Sequence, residues 1–171
     1  MAYLNPVASP DLVPERVQDA PAVDALIDLA FGPGRYAKAA ERLREGREPV
    51  RDLSFVARDD GVIVGCVRQY DIVIGDTPAL LLGPFAVEES QRGQGLGAAL
   101  IRHACAAADA AGRHVILLIG DETFFAPLGF SGAAARRVIM PGPVDQNRVL
   151  ARALTVGTSD DLSGDVQAPF S

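Results

Sequence analysis

Leu80-Leu81-Leu82-Gly83-Pro84-Phe85-Ala86-Val87 is followed in this sequence by Glu88-Glu89-Ser90-Gln91-Arg92-Gly93-Gln94-Gly95-Leu96-Gly97-Ala98-Ala99-Leu100. The apolar run is typical of a buried strand, and the polar residues after it are typical of a loop. Beyond Gly95, apolar or small residues recur at the spacing of one helix face, at Gly97, Leu100, Ile101, Ala104, Cys105 and Ala108. We therefore predict a strand, a loop and an amphipathic helix in that order.

Three glycines at alternate positions, Gly93, Gly95 and Gly97, lie where this helix begins. Glycine lets the backbone approach a ligand closely, and the first N–H groups of a helix have no partner within it. Those amides and the positive end of the helix dipole bind phosphate groups. A glycine-rich turn that binds nothing is the alternative interpretation.

Three phosphate-binding motifs compete for these glycines. A Walker loop requires Gly-Lys-Ser/Thr at its end, which this sequence lacks here. The relaxed dinucleotide pattern G-x-G-x-x-G/A fits Gly93, Gly95 and Ala98. That pattern, however, places its glycines directly after a strand, whereas five residues, 88–92, separate them here. A nucleotide-binding protein that uses the same glycines therefore stays a weaker alternative.

The third motif fits best. Arg92-Gly93-Gln94-Gly95-Leu96-Gly97 resembles the R/Q-x-x-G-x-G/A signature of the GNAT superfamily of N-acetyltransferases. Further along, Phe124-Phe125-Ala126-Pro127-Leu128-Gly129-Phe130 resembles the Y-x-x-x-G-F segment of that family. The resemblance extends over roughly 19–154, and the later Pro-Gly-Pro-Val-Asp and Ala-Pro-Phe segments are similar to a bacterial subgroup of predicted acetyltransferases.

The resemblance implies acetyl-coenzyme A as co-substrate and an amine as acceptor. It also implies the residues that would hold the coenzyme. The loop residues Arg92, Gly93, Gln94, Gly95, Leu96, Gly97 and Ala98 would bind the pyrophosphate, and Phe85, Ala86, Val87 and Phe125 would line the pantetheine arm. The Phe85 amide would donate to the thioester carbonyl and stabilise the oxyanion.

Gly83-Pro84 interrupts the central strand, and proline cannot donate to a strand ladder. We therefore expect a bulge or a splayed strand end at this point. In the GNAT family the two middle strands separate at about this place and the pantetheine arm enters between them.

Together with the remaining elements, the resemblance implies an α/β fold of the GNAT acyltransferase type: a mixed, mostly antiparallel sheet, splayed at its centre, with helices on both faces. A helix begins near Asp19, the turn Asp59-Asp60-Gly61 joins two strands of a hairpin, and Val115–Ile119 is a buried parallel strand. A second helix is expected over 35–45. We predict one domain, 1–171, with a core at about 19–156 and a loosely held tail at 157–171.

Composition excludes several classes of protein. The net charge of −6 argues against a nucleic-acid surface, and no apolar run approaches the ~18 residues of a membrane span. The first 16 residues lack the pattern of a secretory signal, and Cys66 and Cys105 lie in apolar patterns typical of buried free thiols. We expect a cytoplasmic monomer or homodimer that binds no metal.

Three acidic residues are the candidates for catalysis. Glu88, Asp121 and Glu122 could each act as a base through water, although capping of a helix explains Asp121 better. Arg35, Tyr36 and Arg42 lie on the pair of helices that borders the acceptor cleft in the GNAT fold.

Phe125 occupies the position at which the family often has a general-acid tyrosine. A regulatory module that binds acyl-coenzyme A without catalysis is therefore the alternative to an acetyltransferase.

Overall fold

The computed structural model describes residues 9–32 and 38–170. Its main sheet has the strand order β1-β2-β3-β4-β5-β7, and a further pair, β6 and β8, attaches through β8 to the end of β3. The strands are β1 Asp11–Pro14, β2 Phe55–Asp59, β3 Val62–Ile74, β4 Thr77–Val87, β5 Val115–Ile119, β6 Arg137–Ile139, β7 Val149–Ala153 and β8 Ser163–Gln167. The helices are α1 Ala20–Phe31, α2 Ala39–Arg42, α3 Leu96–Ala110 and α4 Glu122–Phe125.

The predicted meander and crossover are both present. Asp60 and Gly61 both have positive φ, of 49° and 79°, as the tight turn between β2 and β3 requires. Strands β2, β3 and β4 are antiparallel, whereas β4 and β5 are parallel and are joined through α3. The predicted α/β fold with a mostly antiparallel mixed sheet is therefore confirmed.

The predicted bulge lies in β4. Val67 pairs with Phe85 and Gln69 pairs with Leu82, so that one residue of β3 stands opposite Gly83 and Pro84. On the other edge of β4, the pairing with β5 consists of Leu80 with Ile116 and Leu81 with Leu117. Within the described residues β4 and β5 pair no further, so the two middle strands separate beyond these positions.

Alternation along the strands gives the sheet two buried faces. Leu80 and Leu82 pack with the buried stripe of α3, and Leu81 packs on the opposite face with α2. A third cluster, built by Val23 and Ile27 of α1, covers Cys66 and Ala86 on the neighbouring part of that face. As expected, both cysteines are buried and free.

Two expectations need correction. Residues 157–171 are not a loosely held tail throughout, because β8 pairs with β3 and β6, and both Val166 within β8 and Leu162 just before it are buried. The predicted second helix ends at Arg42 rather than at Glu45, and its expected start at 35–37 lies outside the described residues.

No helix in the described part of the chain is long and apolar enough to cross a membrane. Among residues 9–32 and 38–170, no group of three or more His, Cys, Asp or Glu side chains is placed to hold a metal ion.

Candidate active site

The N-terminus of α3 presents unpaired amides to the surface. Gly93 and Gly95 have φ values of 77° and 82°, which L side chains rarely adopt. The first helical hydrogen bond runs from the Ala99 N–H to the Gly95 carbonyl, at 3.0 Å. The N–H groups of Leu96, Gly97 and Ala98 consequently have no carbonyl within the helix to which they could donate. This geometry is suited to an anionic group.

The open edge of β4 supplies further amides. The Glu88 N–H donates to the Val64 carbonyl of β3 at 2.8 Å. Successive amides of a strand point to alternate edges, so the N–H groups of Phe85 and Val87 face away from β3, toward the gap beside β5. The Val87 carbonyl, on that same edge, accepts a hydrogen bond from Arg92 Nε at 3.2 Å. This bond ties the glycine loop to the end of the strand.

The helix start and the strand edge share one groove of about 470 Å³. Nine of the eleven residues predicted to contact the coenzyme line it: Phe85, Ala86, Val87, Arg92, Gly93, Gly95, Leu96, Gly97 and Ala98. Gln94 does not, and its side chain donates instead to the Ser90 carbonyl at 3.4 Å. Phe125 lies beyond the groove. The structure thus brings nine predicted residues together, and whether they bind coenzyme A stays a prediction.

A second cavity, of about 540 Å³, adjoins the groove and is lined by residues 82–85 of β4, by the end of β5 and by residues of the segments 38–44 and 143–148. We call it the cleft. Leu82, Leu118 and Phe125, all buried, form part of its apolar wall. Charged residues from three different parts of the chain, around α2, before α4 and before β7, line it: Lys38, Arg44, Asp121, Asp145 and Arg148.

Three phenylalanines join the groove to the cleft. Phe31, Phe85 and Phe124 line both cavities. The Phe85 and Phe124 rings stack with centroids 6.2 Å apart, and Phe124 meets Phe125 edge-on at 4.8 Å. A ligand that extends from the groove into the cleft would therefore pass along aromatic faces.

Phe125 itself is largely a core residue. It is 6% exposed, packs edge-on against Phe130 with centroids 5.9 Å apart, and lies so close to Gly120 that no Cβ atom would fit there. Its neighbour Phe124 is 42% exposed. Of the two adjacent rings, Phe124 is thus the more accessible to a ligand, a difference that the sequence did not indicate.

The three predicted acids occupy different places. Asp121 lines the cleft and caps α4, since its Oδ1 accepts from the Thr123 N–H at 3.0 Å. The predicted cap is confirmed. Glu122 instead accepts from the Gly132 N–H at 2.9 Å, and neither Glu122 nor Glu88 lines the groove or the cleft.

Of the three predicted substrate contacts, Arg42 donates to the Pro141 carbonyl at 2.8 Å and does not line the cleft. The other two, Arg35 and Tyr36, lie outside the described residues.

Sequence reasoning missed Lys38, Arg44, Asp145 and Arg148. No local motif marks them, because only the packing of α2 and of the segment before β7 brings them to the cleft.

Comparison with known proteins gives a consistent result. Residues 51–132 match the family model for the acetyltransferase (GNAT) domain. The chain is 33% identical over 119 residues to the uncharacterized N-acetyltransferase YhbS of Escherichia coli K12, a match that covers 68% of this chain and 70% of the relative.

Solved structures agree with the sequence matches. The crystal structure of E. coli YhbS in complex with CoA has a TM-score of 0.81 and 25% identity, with 98% of this chain and 94% of that chain covered. A GNAT family acetyltransferase of Brucella melitensis in complex with acetyl-CoA has a TM-score of 0.61 and 26% identity, with 81% and 93% covered.

Proposed function

Because the chain belongs to the GNAT family of acetyltransferases, we propose that it transfers the acetyl group of acetyl-coenzyme A to the nitrogen of an amine. One observation carries this proposal. The free amides at the start of α3 and the unpaired edge of β4 line the same groove, and that groove meets the cleft at Phe85. A long ligand with phosphates at one end and a reactive group at the other matches this arrangement.

In the proposed complex, the pyrophosphate lies at the N-terminus of α3 and receives hydrogen bonds from the loop amides. The pantetheine arm runs along the β4 edge as an added strand would, since the amides of Phe85 and Val87 point toward it. Gly97 keeps this path open. A Cβ atom there would come within 3.1 Å of Cζ of Phe85 and 3.7 Å of Cγ2 of Val87.

The acceptor amine enters from the cleft. Its nitrogen attacks the thioester carbon, the new C–N bond forms as the C–S bond breaks, and the amine loses a proton while the thiolate gains one. The Phe85 N–H faces the gap and would donate to the carbonyl oxygen, on which negative charge develops. Of the acids considered, Asp121 lines the cleft, so we assign the water-relayed deprotonation to it rather than to Glu88 or Glu122.

Phe125 has no proton to give to the departing thiolate. A free thiol has a pKa of about 8.5, so its thiolate leaves without a dedicated acid near neutral pH. Acid–base assistance typically contributes about 10²- to 10⁴-fold to a rate. We accordingly propose a slow or water-assisted acetyltransferase. The buried packing of Phe125 against Phe130 also fits the alternative, a module that binds acyl-coenzyme A without turnover.

Two measurements, made one after the other, test the proposal. Coenzyme A, NAD and ATP are compared by titration calorimetry and by thermal shift, and coenzyme A alone is expected to bind. At about one hundred times its Kd the ligand should raise the unfolding free energy by about 2.7 kcal/mol.

Release of free thiol from acetyl-coenzyme A is then followed over a broad panel of amines. Binding with turnover supports the acetyltransferase. If coenzyme A binds but no amine is acetylated, the non-catalytic binding module is favoured. If coenzyme A does not bind, both the acetyltransferase and the binding module are contradicted.

A further inference from the structure

The sequence contains a single lysine. Lysine and arginine together number 16, and Lys38 is the only lysine among them. A guanidinium group stays protonated in proteins, whereas the ε-amine of lysine is an established target of acetylation. Apart from the α-amino group at the start of the chain, Lys38 therefore carries the one amine in this sequence that acetyl-coenzyme A could acetylate.

This lysine lies in the wall of the cleft and is exposed. It is the N-cap residue of α2, and the two residues that follow it, Ala39 and Ala40, are buried and line the cleft as well. The packing of these alanines holds the backbone of Lys38 beside the cleft. Its ammonium group stands on a flexible four-carbon stem and can reach different points of the wall.

The amine of Lys38 is close to the passage between the cleft and the groove. Its Nζ atom lies 5.3 Å from the centroid of the Phe31 ring, and Phe31 lines both cavities. In the proposed complex the thioester lies at this same junction, beside Phe85. Within 9–32 and 38–170 no carboxylate forms a salt bridge with Lys38. A cation over an aromatic ring at an exposed site is held weakly, so the amine is free to turn toward the thioester.

We propose that Lys38 is a modification site, at which the chain transfers an acetyl group from bound acetyl-coenzyme A to its own ε-amine. This inference rests on the proposed function for the transfer chemistry. The ammonium gives one proton to water, and the neutral nitrogen attacks the thioester carbon. The C–N bond forms as the C–S bond breaks, the nitrogen loses a second proton, and the thiolate gains one.

The products are acetylated Lys38 and free coenzyme A. Acetylation removes the positive charge of the side chain and with it the cation–π contact with Phe31. The resulting amide remains at the wall of the cleft, which an external amine has to enter.

Mass spectrometry of the full chain, incubated with acetyl-coenzyme A and no other amine, tests the site. We expect one acetyl group, which peptide mapping places at Lys38 rather than at the α-amino group. Its rate constant should be unchanged on tenfold dilution of the protein, because donor and acceptor are held in one molecule. The mass of the purified protein is measured first, and a Lys38 that is already acetylated in the wild type but not in Gly95→Glu supports the inference equally.

The matched control moves the single lysine out of the cleft. Lys38→Arg combined with Arg102→Lys places it on an exposed position of α3 that lines neither the groove nor the cleft. We expect this variant to be acetylated at least about tenfold more slowly at its lysine, because the advantage of proximity is lost. Gly95→Glu, in which the coenzyme should not bind, is expected to lose the acetylation of Lys38.

Three results would overturn the inference. Equal rates at Lys38 and at the relocated lysine, or a wild-type rate in Gly95→Glu, would mean that the reagent modifies exposed amines from solution. A rate constant proportional to protein concentration would place the acceptor on another copy of the chain.

Thiol release with external amines is measured in parallel. If amines are acetylated while Lys38 stays unmodified, this inference fails and the proposed function stands. If coenzyme A binds and neither Lys38 nor any amine is acetylated, both fail.

Discussion

The ring of Phe85 in β4 lies directly against Gly97 in α3, where an added Cβ atom would be only 3.1 Å from Cζ of the ring. This contact fixes the distance between the strand edge and the helix start, the two parts of the proposed coenzyme groove. Position 97 therefore favours glycine because the Phe85 ring lies so close, whereas positions 93 and 95 favour glycine because their φ angles are positive.

Gly97→Val should displace the Phe85 ring and narrow the groove. We expect a loss of about 1–3 kcal/mol of unfolding free energy from overpacking and at least tenfold weaker coenzyme A binding. Gly97→Ala is the matched control. Alanine adds a single methyl group beside Phe85, and its helix propensity, about 1 kcal/mol more favourable than that of glycine, offsets the cost of this smaller contact. Denaturant unfolding and calorimetry measure both effects. Wild-type affinity in the valine variant would show that the coenzyme does not pass Phe85.

Gly95→Glu tests the phosphate site. A Cβ atom at Gly95 meets nothing within 4 Å, so the substitution adds charge beside the helix start and strain at φ 82° without a clash. We expect coenzyme A binding to be lost because of repulsion from the pyrophosphate. Gly95→Asn tolerates the same φ without the charge and should retain most of the affinity. If the glutamate variant binds as tightly as wild type, the assignment of the loop is wrong.

Phe125→Tyr should restore the general acid of the family. We expect kcat on a competent amine to rise, by at most the 10²- to 10⁴-fold typical of acid–base assistance, with nearly unchanged coenzyme A affinity. Phe124→Tyr is the informative comparison, since Phe124 lines both groove and cleft and is more exposed. A gain only in Phe124→Tyr would place the thiolate at that ring. No gain in either variant would mean that protonation occurs elsewhere.

Cys66 should be unreactive in the folded protein. Burial raises the pKa of its thiol to about 12, so alkylation at pH 8 should proceed only through unfolding. Because the folded pKa lies above the unfolded value of about 8.5, the unfolded chain loses this proton first. The contribution of Cys66 to stability is thus complete below about pH 8.5 and falls as the pH rises toward 12.

Thermal unfolding between pH 8 and pH 11 should therefore depend less on pH in Cys66→Ala than in the wild type. Rapid labelling of native Cys66 at pH 8, detected by mass spectrometry, would contradict this prediction.

The C-terminal strand should contribute to stability. Val166 is 2% exposed and pairs with Ile74, so Val166→Ala is expected to lower the unfolding free energy by about 1–3 kcal/mol. Phe170→Ala, at a side chain that is 90% exposed, should have little effect. Equal unfolding midpoints for these two variants would mean that β8 is dispensable.

Much of the fold follows from local patterns. The apolar period of α3, the Asp60-Gly61 turn and the proline in β4 each constrain φ, ψ or hydrogen bonding within a few residues. The structure has each of these features at the predicted positions. Nine of the predicted coenzyme contacts share one groove for the same reason, since a single strand–loop–helix segment carries them all.

The cleft could not be derived in this way. Lys38, Asp121 and Arg148 come from three separate parts of the chain, and only the packing of the elements between them brings them together. The strand β8 likewise depends on pairing with β3, about 90 positions earlier in the chain, and its five residues have no apolar alternation that predicts it.

The sequence by itself determined the glycine loop, the helix start and the break in β4, because each depends on backbone geometry that neighbouring residues impose. The tertiary structure alone decided which of the three predicted acids lines the cleft and which of Phe124 and Phe125 is exposed. Those outcomes depend on contacts between residues far apart in the chain, and no local pattern encodes them.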